Sequence, residues 1–483
     1  MLHTLKSRVG RFSDFLASGG NARLESIWYG GLFALGAGLW VFFFRYGNLR
    51  LYVLDWLKEH HYLALWKEAF TSGQIPYISS IVLQSGDHFL ANPEVVRTPD
   101  ILLLRWLPLG VFVVIHVLIL YALGCWGILR LKDRFGWPPL AGAVAFGLFT
   151  FSGALTARLG IGHFQWAGAL LLPWFAEIVF QWLDAAKGEG FAPRPALRMS
   201  VLLFVLYLNG SFHIANWCLL FLVLLSLTNW RLIRYVALAV PVALLLAAHQ
   251  IAPAMTLFDD VQRQSFGGFP NAAVLLEAFT RLSLFDRDAI GISGWGTLWW
   301  WEYDYYVGWA GLALLVSGLA AFWPRRHSDS PFPHLLPALL GMFVLSLGSL
   351  WGQFAPGLVQ EAERVPTRFM LLVFLFLVIG AAEIATRFLR RWPRFAPWAL
   401  LPVLGWAAWD LWQHAVLWRV ALLEGIFLTK KYDPNVPPIH ILPNADTVYQ
   451  AWVLGSLAVS AVTLIAVVLI LWRATVRDDL SAR

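Results

Sequence analysis

The chain has 483 residues, 59% of them hydrophobic, 16% aromatic and only 13% charged, with a net charge of +7. About 25% charge is usual in a soluble domain, and this much apolar surface could not stay solvated in an unfolded chain. A water-soluble enzyme and a disordered polypeptide are therefore excluded. A polytopic all-α membrane protein remains, and the positive charge reads as basic loops facing anionic lipid, with no nucleic-acid partner.

Residues 1–26 are polar and basic and lack the apolar core of a cleavable signal, so they are expected as a cytoplasmic N-terminal segment. A helix needs about 20 apolar residues to cross the hydrocarbon core, and that rule predicts about twelve spans. They start near residues 27, 107, 138, 164, 197, 212, 233, 305, 333, 367, 395 and 449. With the N-terminus inside, every short inside loop or tail is basic, from Lys6, Arg8, Arg11 and Arg23 through Arg130, Lys132 and Arg134 to Arg473 and Arg477. The charge rule then places both termini in the cytoplasm and the expected active face outside, in a bacterial inner membrane. The long segments 46–106, 256–304, 351–366 and 416–448 all fall on the outer side. Residues 27–390 are expected as a transmembrane core and 391–483 as additional C-terminal helices. No inside loop carries a phosphate-cradling glycine motif. Cys125 and Cys218 lie in apolar runs and read as packing residues.

The first outer segment predicts a helix over 52–72, stopped by Ser72-Gly73 with Pro76 beyond, lying flat on the membrane surface. Asp55 stands at its start and Glu59 one turn later. Two carboxylates at this spacing repel, which keeps one basic or lets both hold a cation. A solvated face with Asp55 favouring the helix N-terminus explains the same pair. His60 and His61 follow, then Asp87-His88 and Asn92-Pro93, ordinary loop residues that can also line a polar cavity. In the second outer segment Asp286 and Asp288, and Glu302 and Asp304, form carboxylate pairs of a kind that hold Mg2+ or Mn2+. The aromatic run from Trp299 through Trp301 to Tyr306 reads first as an interfacial belt and second as a sugar-stacking surface. Arg364 and Arg368, and Lys430 and Lys431, suit a phosphate head group or simple snorkelling. Polar residues inside or near spans include His116, His163, Asn209 and His213, the last three at outer ends where they can converge. Asn209-Gly210-Ser211 reads as a tight turn.

The order of these features resembles the YfhO-like branch of the GT-C glycosyltransferases: the acidic Asp55 on an outer helix, Gly73-Gln74-Ile75-Pro76, Ala91-Asn92-Pro93, Phe149 to Gly153, Gly162-His163, Glu302 to Gly308, and Arg364 to Phe369. The resemblance covers roughly residues 27–390. It implies a GT-C-like fold and an inverting transfer of sugar from a polyprenyl-phosphate donor to a lipid, glycan or protein acceptor. It assigns Asp55 as general base and outer basic residues, here Arg364 and Arg368, to the donor phosphate. The family has metal-using and metal-free members, so Mg2+ or Mn2+ stays open. Two other readings stand beside it: a twelve-span lipid or polysaccharide transporter, and a non-catalytic scaffold of the same fold.

Overall fold

The computed structural model describes residues 10, 12–51, 54–83, 86–188, 190–255, 267–283, 299–323, 330–347, 363, 365–431 and 439–481, with backbone alone for 81–83, 427–431 and 475–481. The first long helix, α1 (Ala22–Phe43), opens on Asn21, whose side chain accepts the Leu24 N–H at 3.1 Å, a standard N-cap. The outer-segment helix α2 (Trp56–Ser72) stops at Gly73, which takes the left-handed conformation at φ 73°. The strands β1 (Ile78–Leu83) and β2 (Gly86–His88) follow. Then come α3 (Leu109–Phe135), α4 (Pro139–Thr150), α5 (Gly153–Ile161), α6 (Leu172–Ala185), α7 (Pro193–Leu208), α8 (Phe212–Thr228), α9 (Ile233–Leu246) and α10 (Ala248–Met255). The rest comprises α11 (Ala272–Thr280), α12 (Gly308–Phe322), α13 (Leu336–Ser346), α14 (Met370–Arg391), α15 (Ala396–Trp418), α16 (Val420–Lys431), β3 (Ile441–Leu442) and α17 (Thr447–Ser481).

A helix stands at every place where a span is expected, but the helices are unequal. Among the described residues six are long and apolar enough to cross a membrane: Ala22–Phe43, Leu109–Phe135, Pro139–Ile161, Phe164–Ala185, Pro366–Arg391 and Thr447–Ala474. A seventh appears if the pair Trp230–Leu246 and Ala248–Met255, bent by 71°, is one span. Three shorter apolar helices, Phe212–Thr228, Gly308–Phe322 and Phe332–Ser346, stand at other expected places. The protein is an all-α polytopic membrane protein. Its main core is continuous, and α14 lies deep within it, with Leu371, Leu372, Phe374 and Phe376 fully enclosed.

The two ends of the bundle differ in chemistry. At one, Lys132 pairs with Glu25, Arg134 with Asp184 at 2.6 Å, and Arg390 donates to the Gly136 carbonyl at 2.8 Å. The other end is capped. There β1 pairs antiparallel with β2 (Ile78 opposite His88) and with β3 (Ile78 opposite Leu442, Ser79 opposite Ile441), giving the order β2-β1-β3. A second, smaller core forms under this cap from Tyr62, Leu65, Tyr77, Phe89, Ile439 and Tyr449. Trp56 and Leu63, on the other flank of α2, join the main core. The helix expected to lie flat on lipid is therefore enclosed between two cores, because apolar residues occupy both of its flanks rather than one.

Candidate active site at the capped end

Asp55 sits at the N-cap position of α2, yet its side chain makes no capping hydrogen bond. Its backbone N–H donates to the Ile161 carbonyl at 3.1 Å, and the Trp56 indole donates to the Gly160 carbonyl at 2.9 Å. These contacts seat the start of α2 on the end of α5. Gly162 ends α5 with φ 102°, and a Cβ there would lie 2.3 Å from the Trp56 nitrogen. Only glycine permits both the left-handed turn and the approach. The next residue, His163, is thereby delivered to Asp55, with Nε2 2.8 Å from Oδ2.

Around this pair lies a buried charge network. Lys58 pairs with Glu94 and approaches Glu59 at 3.5 Å. Asn92 donates to the Tyr62 hydroxyl at 2.6 Å and accepts the Glu94 N–H at 2.9 Å, so Asn92 builds the turn that presents Glu94. Arg368 forms a bidentate pair with Glu302 at 2.9 and 2.6 Å, and its third nitrogen lies 3.6 Å from Glu363. Glu363 also meets His213 at 3.1 Å and accepts from the Trp217 indole at 2.9 Å. Arg158, fully buried, donates to the Asp304 and Glu302 carbonyls, each at 3.0 Å, and lies 4.1 Å from the Trp166 ring centroid. Asp304 pairs with His414 of α15 at 2.9 Å and accepts the Tyr306 N–H, while the Tyr306 ring stacks on His414 at 4.8 Å.

The electrostatics separate the carboxylates. Burial alone would raise Asp55, but the hydrogen bond and charge of His163, with Lys58 and Arg368 beyond, outweigh it, and the carboxyl is held far below its usual range. In Glu302 burial is likewise outweighed, by Arg368, and the group is held at about 2. Glu94 is lowered by Lys58 and Glu363 by His213, each against burial. Glu59 goes the other way: burial, reinforced by Glu94 and Asp55, pushes it up to about 8 despite Lys58. Glu59, Glu302 and Glu363 have side-chain exposures of 2%, 6% and 2%, against 47% for Asp55. Asp55 is thus the ionised carboxylate of this network that is open to an incoming molecule.

Several of the expected site residues have partners within the fold. Arg368, expected to clamp a phosphate, has its guanidinium taken by Glu302. Glu302 and Asp304, expected as metal ligands, are committed to Arg368 and His414. Among the described residues no three His, Cys, Asp or Glu side chains are arranged to hold a metal ion. Both carboxylate oxygens of Glu302 face Arg368, and those of Asp304 face His414 and the Tyr306 N–H, so this pair is not free to ligate Mg2+ or Mn2+. Asp87 and His88 pair with each other at 2.7 Å on the cap, and His88 lies 3.5 Å from Asp446. Trp301 is buried and stacks on Trp299, with ring centroids 5.1 Å apart. His61 is buried and His60 half-buried, their rings meeting edge-on. His163 and His213 lie in this network, and Asn209 bonds His116 at 2.7 Å, which in turn meets Asp100. Arg364, Asp286 and Asp288 lie outside the described residues, as do the side chains of Lys430 and Lys431.

The sequence reading passes over Lys58, Glu94, Arg158 and His414. Arg158 carried a usable signal, a lone arginine inside an apolar run. The others carried none, because their partners are remote in the chain.

No family model and no curated protein matches the sequence. Among solved structures, the mycobacterial arabinofuranosyltransferase AftD matches with a TM-score of 0.52 at 17% identity, over 80% of this chain and 27% of that one. A mutant form of AftD matches with a TM-score of 0.50 at 16% identity, over 80% and 28%. The chain thus spans about a quarter of that protein's length. At this identity the likeness is one of fold.

Proposed function

We propose that this protein is an inverting membrane glycosyltransferase that works at its capped end, with Asp55 as the base. The donor is a polyprenyl-phosphate-linked sugar and the acceptor a hydroxyl of a lipid, glycan or protein. The observation that carries the reading is the contrast just described: a network of buried, mutually neutralised charges leaves one ionised carboxylate open and braces it with His163. The acceptor oxygen attacks the sugar C1, the C1–O bond to the phosphate breaks, and the hydroxyl proton passes to Asp55. Phosphate is a good leaving group, so positioning and charge stabilisation supply most of the remaining barrier reduction. Arg368, already paired, acts at a distance by holding Asp55 ionised. Arg364 remains our candidate for the donor phosphate. No metal-dependent step is invoked.

The charge pattern supports an orientation in which the basic end faces the cytoplasm of a bacterial inner membrane and the capped end faces outward. The YfhO-like branch is the closer assignment we favour within the GT-C fold, from the motifs at Gly162-His163 and Glu302 to Gly308. The bent α9–α10 pair is a feature transporters use to hold ions. Here His249 bonds Ser460 at 3.2 Å and Gln250 donates to the Pro93 carbonyl.

The test is the full-length protein in proteoliposomes, given a set of radiolabelled polyprenyl-phosphate sugars. Release of polyprenyl phosphate with label moving to an acceptor, and binding of polyprenyl phosphate at the capped end, are expected. Lipid movement across the bilayer without bond cleavage would replace the transferase by a transporter.

A further inference from the structure

The loop that delivers Asp55 is built in an unfavourable backbone conformation. After α1 three consecutive residues are left-handed: Arg45 at φ 49°, Tyr46 at 55° and Gly47 at 81°. Leu54, just before Asp55, is a fourth at 55°. Three of the four carry side chains, and such residues persist where surrounding contacts hold them. The hold comes from the far end of the chain. Glu424 of α16, with 2% of its side chain exposed, accepts from Arg45 Nη1 at 2.8 Å and from the Arg50 backbone N–H at 2.5 Å. One carboxylate therefore ties both ends of the segment 45–50.

The same helix junction touches the other half of the pair. A Cβ on Gly160 would lie 2.3 Å from the Trp418 carbonyl oxygen and 3.2 Å from Leu423 Cδ1, so the end of α5 closes directly on residues 418–423. Gly160 is also the residue whose carbonyl receives the Trp56 indole. Asp55, reached through the strained loop, and His163, reached through the end of α5, thus share one footing where α15 meets α16.

We propose that Glu424 is a positioning residue that sets the Asp55–His163 geometry. The proposal rests on the reading that Asp55 is functional. Glu424 acts through the loop and not on substrate, so its removal should slow the chemical step without weakening donor binding. Glu424→Ala removes both contacts. Glu424→Gln keeps an acceptor for the Arg50 N–H and loses the charge opposite Arg45.

In proteoliposomes, Glu424→Ala is expected to lower kcat about 10²-fold, the scale of a misplacement of roughly 1 Å. KM for the donor should stay within about twofold, and Glu424→Gln should recover most of the rate. Hydrogen-exchange mass spectrometry on the same proteins should show faster exchange confined to residues 44–60 and 158–163. Wild-type kcat in Glu424→Ala, or faster exchange throughout the bundle, would overturn the proposal. The exchange arm needs no turnover. If wild-type protein transfers no sugar, the transferase reading fails, while local loosening would still establish the brace and its absence would remove it.

Discussion

Asp55→Asn is the substitution that separates chemistry from structure. Asn keeps the shape of Asp, and its Oδ1 can accept the His163 N–H across the same 2.8 Å. What is lost is the charge and the capacity to take a proton. The structural cost is small, because 47% of the Asp55 side chain is exposed and solvent screens the pair. About 1 kcal/mol or less is expected. The catalytic cost is larger: a positioned base contributes about 10²–10⁴ in rate, or about 3–5 kcal/mol of barrier. The variant should therefore melt within a few degrees of wild type and transfer sugar at 1% of its rate or less. The assay is single-turnover transfer of label from donor to acceptor in proteoliposomes, with thermal unfolding in detergent as the control. A well-folded Asp55→Asn protein transferring at a third of the wild-type rate would refute the assignment of Asp55 as base.

Three more outcomes follow from the same geometry. His163→Ala removes the main group that lowers Asp55, so its carboxyl should return toward about 4; kcat/KM should then fall in mild acid where wild type stays flat. The sign is that of a depressed acid: the stability it adds in the wild type is present at neutral pH and is lost only as pH drops through the depressed value. Glu59 is raised to about 8, so its contribution is full below the ordinary carboxyl range and is lost as pH climbs through 8. Melting temperature measured from pH 5 to 9 should decline in wild type and decline less in Glu59→Gln. Gly162→Ala forces a Cβ against the Trp56 nitrogen in a left-handed residue, which should cost about 1–3 kcal/mol and at least tenfold in kcat; unchanged melting and turnover would show that the α5–α2 junction is not tight.

How much of this could be read from residues alone depends on distance along the chain. The α2 helix, its Gly73 stop and the Gly162-His163 turn are local signals, and the sequence carries them directly. The pairing of Glu302 with Arg368, or of Asp304 with His414, is invisible there: either carboxylate looks free until the fold brings its cation in from another helix. That is why phosphate and metal roles suggested themselves. The cap was equally hidden, since β3 is a two-residue strand with no pattern to detect. Hydropathy registers apolar runs and not the turns within them, so twelve runs were legible where six described helices, or seven with the bent pair, have the length and apolarity of a crossing.

The pairing of β1 with β3 also orders events during synthesis. Ile78 leaves the ribosome early, while its partner Leu442 is made roughly 360 residues later, which at about 5–20 residues per second is tens of seconds. Through that interval the segment carrying Asp55 has neither its strand partner nor the Glu424 contact. A nascent chain thus holds Asp55 in an unclosed loop, and the capped end is completed only once the last helices have been inserted.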